Sequence, residues 1–215
     1  MTSSGDTSVM IRNLAGEAGM KRSGSAFSFD TALLLGAALS FAGALMLMFA
    51  TFGIHPDLAT TLRSAPFHHK ISSMLTVACG GVFLVRYAGR PGARGLALLT
   101  LLPGLALLIA GAICDTSGFP FLGRSEISVP SCIAAIVALS LLPLVITIFV
   151  LKSGVTTRPA VAGATAGVLA GALGAAAYSL VCKNNGGLFV AVWYPTAVLL
   201  VVGLGSIIGR RALAW

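Results

Sequence analysis

The sequence predicts an all-α integral membrane protein, a bundle of six transmembrane helices with both termini in the cytoplasm. Three observations carry that expectation. Of 215 residues, 57% are hydrophobic and 9% are charged, whereas a soluble domain carries about 25% charged residues. The apolar residues gather into six runs, each close to the roughly 20 residues that cross a hydrocarbon core. The basic residues are shared unevenly between alternate loops, and an excess of Lys and Arg marks the cytoplasmic side. The formal charge of +8 therefore reports topology and gives no reason to expect direct binding of nucleic acid.

The chain divides into a cytoplasmic tail (1–29), a transmembrane domain (30–209) and a short cytoplasmic C-terminus (210–215). The tail is long, polar and mixed in charge, unlike a cleaved signal peptide. Within it Val9, Met10, Leu14 and Ala18 recur at helical spacing. Gly16 and Gly19 weaken that helix. The plain reading is a disordered terminus; the sharper one is a short helix that orders on a partner's apolar groove.

The six apolar runs cover 31–54, 67–87, 95–114, 129–151, 160–181 and 188–208. Pro103, Pro143 and Pro195 fall inside the third, fourth and sixth. Bends are expected there, because neighbouring groups in a membrane bundle can satisfy the carbonyls that proline frees. Arg12, Lys21, Arg22, Arg86, Arg90, Arg94, Lys152, Arg158, Arg210 and Arg211 lie on one side of the membrane. Arg63, Lys70, Arg124 and Lys183 lie on the other. The first side is the cytoplasm, so the first, third and fifth loops face out, and the location is a bacterial inner membrane.

That topology sorts the reactive residues. Cys79 falls in mid-membrane and reads as a buried packing residue. Cys114 closes the third run, Cys132 begins the fourth and Cys182 ends the fifth, all at the outer rim. Thiols there meet an oxidising compartment where disulfides persist, although a disulfide needs Cα atoms about 4.4–6.8 Å apart. His68, His69 and Lys70 stand at the same rim. Adjacent histidines point to different helix faces and make a poor metal pair alone. With Cys132 or Cys182 they could complete a soft metal site; the plainer reading has them reaching for water. Lys70 would be costly any deeper. Asp57, Asp115 and Glu126 read as solvated loop carboxylates.

Gly163, Gly167 and Gly171, spaced by four, form a face on which two helix backbones can touch. The aromatic residues Phe189, Trp193 and Tyr194 open the sixth run at headgroup level. No phosphate-binding glycine loop, hydrolase elbow or C-x-x-C is present, so neither a cofactor nor catalysis is expected. Two other classes fit the sequence less well. A membrane thiol oxidoreductase needs a closely spaced reactive pair, and a small-solute transporter needs polar or charged groups in mid-helix; the sequence offers little of either.

The block T-R-P-A-x-A-G-A-x-A-G-x-L-A-G, then Tyr178 and Cys182, then L-F-V-A-V-W-Y and a terminal G-R-R-A-L-A-W, resembles the NrsF family. Cys132 with Leu142 and Pro143, and Pro66, Phe67 and Lys70, extend the likeness upstream. The resemblance implies a six-helix inner-membrane anti-sigma factor. Its partner would be an extracytoplasmic-function sigma factor of the SigF type, held inactive by the N-terminal segment. It also implies that two outer-face cysteines, here Cys132 and Cys182, respond to oxidants or toxic metal ions. Where the family often has His before and Pro after the second cysteine, this chain has Val181 and Lys183. That departure weakens a metal site built on a neighbouring histidine. Oligomeric state stays open.

Overall fold

The computed structural model describes residues 8–13, 28–53, 62–89, 95–123, 129–154 and 156–214. The sequence-derived positions Leu14, Ala18, Asp57, Arg90, Arg94, Arg124 and Glu126 lie outside the described residues.

Every long element is helical: α1 (Phe29–Phe52), α2 (Ala65–Ala88), a 3-10 stretch (Gly95–Leu101) continuing into α3 (Leu102–Ile113), α4 (Val129–Lys152), α5 (Pro159–Tyr178) and α6 (Gly187–Ala212). Residues 8–13 form a short helical piece that stands exposed. Five helices (α1, α2, α4, α5 and α6) are long and apolar enough to cross a membrane. The third apolar run differs. Thr100 lies directly over Gly80, whose missing side chain admits the Thr100 carbonyl. The Thr100 hydroxyl bonds the Ala97 carbonyl at 2.6 Å, and Pro103 follows with no N–H to donate. The run starts as 3-10 helix and becomes α-helical at the proline. Pro143 and Pro195, in contrast, sit within unbroken helices.

Helix starts follow from local chemistry. The Ser28 hydroxyl accepts the Thr31 N–H at 3.2 Å and caps α1. Proline stands in the first turn of α2, α3 and α5, where its missing N–H costs nothing. The α5 helix ends at Tyr178, three residues short of the expected 181, so Cys182 lies four residues beyond the helix, in a turn closed by its N–H to the Tyr178 carbonyl.

The centre of the bundle is α5, with its last ten helical residues all buried. It packs on α6, α4, α2 and α1, and its Ala and Gly content makes that fit physical. A side chain on Gly167 would lie 2.6 Å from the Val201 carbonyl oxygen, and one on Gly171 3.1 Å from the Val198 Cα. Gly163 is pressed on the Gly205 carbonyl and the Gly209 Cα. The α5–α6 seam is thus backbone against backbone. Large apolar side chains such as Leu39, Met46, Ile109 and Phe149 point outward instead, as a lipid-facing surface allows.

Chain direction gives the bundle two ends. The starts of α2, α4 and α6 and the finishes of α1, α3 and α5 share the thiol end. The opposite end holds the α4–α5 loop and the root of the tail.

A thiol and lysine cluster at one end of the bundle

Buried hydroxyls in the helices serve their own backbone. Ser40, Ser73, Ser140, Thr147 and Ser179 each donate to the carbonyl four residues earlier, at 2.5–2.9 Å, a habit of such residues in helices. Lys70 and Asn184, buried polar residues not settled this way, lie at the thiol end, and Thr156 lies in the α4–α5 loop at the other.

Cys132 is placed by the first turn of α4 and is fully buried, and Cys182 is placed by the turn after α5 and is 3% exposed. Both are free thiols, and their side chains stand beside each other. Around them stand three further groups. Tyr178, from the end of α5, reaches the Cys132 sulfur. Tyr194, from α6, is fully buried and turned towards Cys182, yet its hydroxyl makes no hydrogen bond of ordinary length. Lys70, from the first turns of α2, is 2% exposed and donates from Nζ to the Cys182 carbonyl at 3.0 Å. The Asn184 side-chain N–H group is buried close by without a partner, and the Asn184 carbonyl is 4.0 Å from the Cys182 sulfur.

The electrostatics follow from that placement. The neighbouring Cys132 thiol draws the Cys182 thiol down to about 6; burial opposes the shift, and the Lys70 charge and the Tyr194 hydroxyl support it. A buried ammonium costs several kcal/mol unless paired. Among the described residues the one ion pair is Arg86–Asp30, at the opposite end. Among the described residues no carboxylate pairs with Lys70; the groups whose negative charge would act on it are the Cys182 and Cys132 sulfurs.

A cleft of about 610 Å³ leads to this cluster between α2, α3 and α6. Its walls include His69, Lys70, Cys114, Asp115, Asn185 and Gly187. His69 is half-buried against Gly111, where any side chain would strike its ring. Asp115, read from sequence as merely solvated, ties α3 to α6: it accepts the Leu188 N–H at 2.9 Å and bonds Ser117. Those bonds, the Ser117 hydroxyl first, hold its carboxyl below the usual carboxylate range. The cluster's far wall is capped by Phe52, edge-on to Tyr178 with centroids 6.0 Å apart.

The sequence-derived candidates therefore separate. Cys132, Cys182 and Lys70 come together; Cys114 and His69 line the approach; His68 is exposed. Among the described residues, no three His, Cys, Asp or Glu side chains gather to hold a metal ion. Cys79, expected to be buried, is exposed on the outside of the bundle. Gly163, Gly167 and Gly171 lie on the α5–α6 seam, away from the thiols. Val9 and Met10 are exposed on the short helical piece. The contributions of Tyr178, Tyr194 and Asn184 to the cluster were missed. Tyr194 has the sequence signature of an interface anchor, and only its burial marks it otherwise.

Comparison with known proteins places these features in company. The family profile described as NrsF, negative regulator of sigma F, matches residues 20–215. A relative from Azospira oryzae, named as a probable anti-sigma-F factor NrsF, is 31% identical over 182 residues, covering 81% of this chain and 84% of the relative. The anti-sigma-F factor NrsF of Caulobacter vibrioides is 28% identical over 190 residues, covering 85% and 88%. No solved structure matches.

Proposed function

This chain belongs to the NrsF family of negative regulators of sigma F, and from that premise we propose that it is a membrane-bound anti-sigma factor whose outer-face thiols govern release. The observation that carries the reading is family membership across nearly the whole chain. The partner is an extracytoplasmic-function sigma factor of the SigF type, and the membrane is the bacterial inner membrane.

Six spans and cytoplasmic termini fit this role. The 3-10 stretch and α3 together rise about 32 Å, enough for a hydrocarbon core of about 30 Å. The thiol end then faces out, consistent with the distribution of basic residues. The tail holds the sigma factor through apolar residues such as Val9 and Met10, which stand exposed in the free protein.

The trigger is oxidative closure of Cys132 and Cys182 into a disulfide. Two neighbouring thiols on separate elements suit that reaction, and they lack a third gathered ligand among the described residues. Closure ties the start of α4 to the finish of α5. These helices meet again through the loop at their other end, where Gly154 lies against the Phe29 ring at the root of the tail. Gly89, at the end of α2, supports the same ring, and Asp30 pairs with Arg86 at 2.9 Å. A shift of α4 on α5 therefore reaches the segment that leads to the sigma factor. Only a few kcal/mol of differential affinity is needed to move such an equilibrium.

A pull-down from detergent-solubilised membranes tests the proposal. Full-length protein retains a sigma factor, and protein lacking residues 2–27 does not. Retention by both moves the contact to the loops; retention by neither ends the anti-sigma reading. Cys132→Ser and Cys182→Ser keep the sigma factor and lose the stress response; constitutive release in both would sink the sensing mechanism.

A further inference from the structure

Lys70 is buried at the wall of the cleft, at the place where two thiols meet. It donates to the Cys182 carbonyl at 3.0 Å. The described groups that act on its charge are Cys132, from α4, and Cys182 itself, from the turn; Tyr178 and Tyr194, from α5 and α6, stand beside those sulfurs. On its cleft side stand His69 and Asp115. Asp115 directs its oxygens to Ser117 and Leu188 instead. A buried charge without a carboxylate partner requires another counter-charge.

We propose that Lys70 is the positioning residue of the thiol pair: its ammonium is the counter-charge of the Cys182 sulfur, so that Cys182 reacts first and Cys132 resolves. The inference rests on the thiol-sensing reading above and adds an order to it. With a hydroperoxide as oxidant, the Cys182 thiolate attacks the O–O bond. An S–O bond forms, the O–O bond breaks, and sulfur is oxidised to the sulfenic acid while the peroxide is reduced. The departing alkoxide takes a proton from Lys70 and leaves as an alcohol. Cys132 then gives its proton, through the Lys70 amine, to the sulfenic hydroxyl. Its sulfur attacks Cys182, the disulfide forms and water leaves. Lys70 ends as a neutral amine.

This order has a structural consequence. The disulfide carries no charge, so a reprotonated Lys70 has lost its partner. The side chain lines the open cleft and can turn into it, releasing the Cys182 carbonyl. Oxidation thus both joins α4 to α5 and loosens α2 from the turn.

The test uses full-length reduced protein in membrane vesicles and methyl methanethiosulfonate, a small neutral thiol reagent. Labelling is followed by peptide mass spectrometry from acid to alkaline pH. Cys182 is modified before Cys132 in the wild-type protein, with a midpoint near the value of about 6 set by its surroundings. Lys70→Met moves that midpoint up and slows Cys182 labelling at neutral pH by about tenfold or more, and Lys70→Arg restores it. Modification of Cys132 first in the wild-type protein overturns the proposal without any variant having to fold. So does a Lys70→Met profile that matches the wild type. Neither readout involves a sigma factor, so a failure here leaves sigma retention to its own test. Conversely, stress release that persists in Cys182→Ser removes the sensing role while leaving the labelling order intact.

Discussion

Two stretches of the bundle core, both built on α5, show opposite ways of burying a helix. Along Gly163, Gly167 and Gly171 the contact with α6 is made by backbone atoms, with nothing polar to satisfy beyond the helices' own ladders. At the finish of the same helix the contact is made by side chains: two thiols, a lysine and two tyrosines, with Asn184 left unpaired. The seam is rigid because no atom can be added to it. The cluster is poised because its polar groups are incompletely matched. Packing without voids gives stability, whereas a partly satisfied buried polar network is a place where a small chemical change alters the balance.

Substitutions can break or sharpen that contrast. The largest effect is expected at the seam. Gly167→Leu drives a side chain into the Val201 carbonyl, a backbone group that cannot step aside. A loss of more than about 3 kcal/mol is expected, seen as failure to accumulate in membranes or a collapsed thermal midpoint in detergent. Normal accumulation would remove the claim that the backbones touch.

Next comes the joint between the core and the tail. Phe29→Ala empties the notch between Gly89 and Gly154 and costs about 2 kcal/mol or less, since the ring is only half-buried. Disulfide formation, read by gel shift after peroxide treatment, stays as in the wild type. Sigma release after that treatment is lost. Release at the wild-type level would show that the signal travels by another route.

Tyr194→Phe sharpens the cluster side. Its hydroxyl is buried without an ordinary hydrogen bond, so removing it changes stability by no more than about 1 kcal/mol. Cys182 alkylation at neutral pH should slow modestly, because the hydroxyl supports the sulfur's charge. A large loss of stability would mean the hydroxyl is satisfied after all.

The smallest effect is at the cleft rim. The Asp115 carboxyl is held below its ordinary value by Ser117 and Leu188. A depressed folded value stabilises the fold above the ordinary carboxylate range, and that contribution fades as pH falls through the folded value. Asp115→Asn should flatten this acid limb of the melting profile slightly and leave the neutral midpoint almost unchanged. An unchanged acid limb would show that the carboxylate contributes nothing through its charge.

Much of this was legible in the chain. The glycines spaced by four announced a close seam, and the shared depth of Cys132 and Cys182 announced their candidacy as a pair. Lys70 was singled out because charge is rare in such a sequence. The α5 end was misplaced because the apolar run continues past Tyr178, and hydropathy does not register where the backbone turns. The third run kept its apolar length but not its geometry, since the 3-10 stretch depends on Gly80 of another helix. Cys79 faces outward because, on a helix in lipid, an apolar residue gains nothing by choosing the inside.

By itself the sequence determined that this protein is all helix, rich in spans long enough for a membrane, and supplied with a glycine face fit for close helix packing. Those are local properties, set by the run of side chains along one segment. Only the tertiary structure decided that Lys70 meets Cys182 across 112 positions of chain and that Tyr194 closes over the sulfur. Which groups share a buried volume is settled by where helix ends come together. In a bundle that meeting is fixed by packing against α5, and no single segment encodes it.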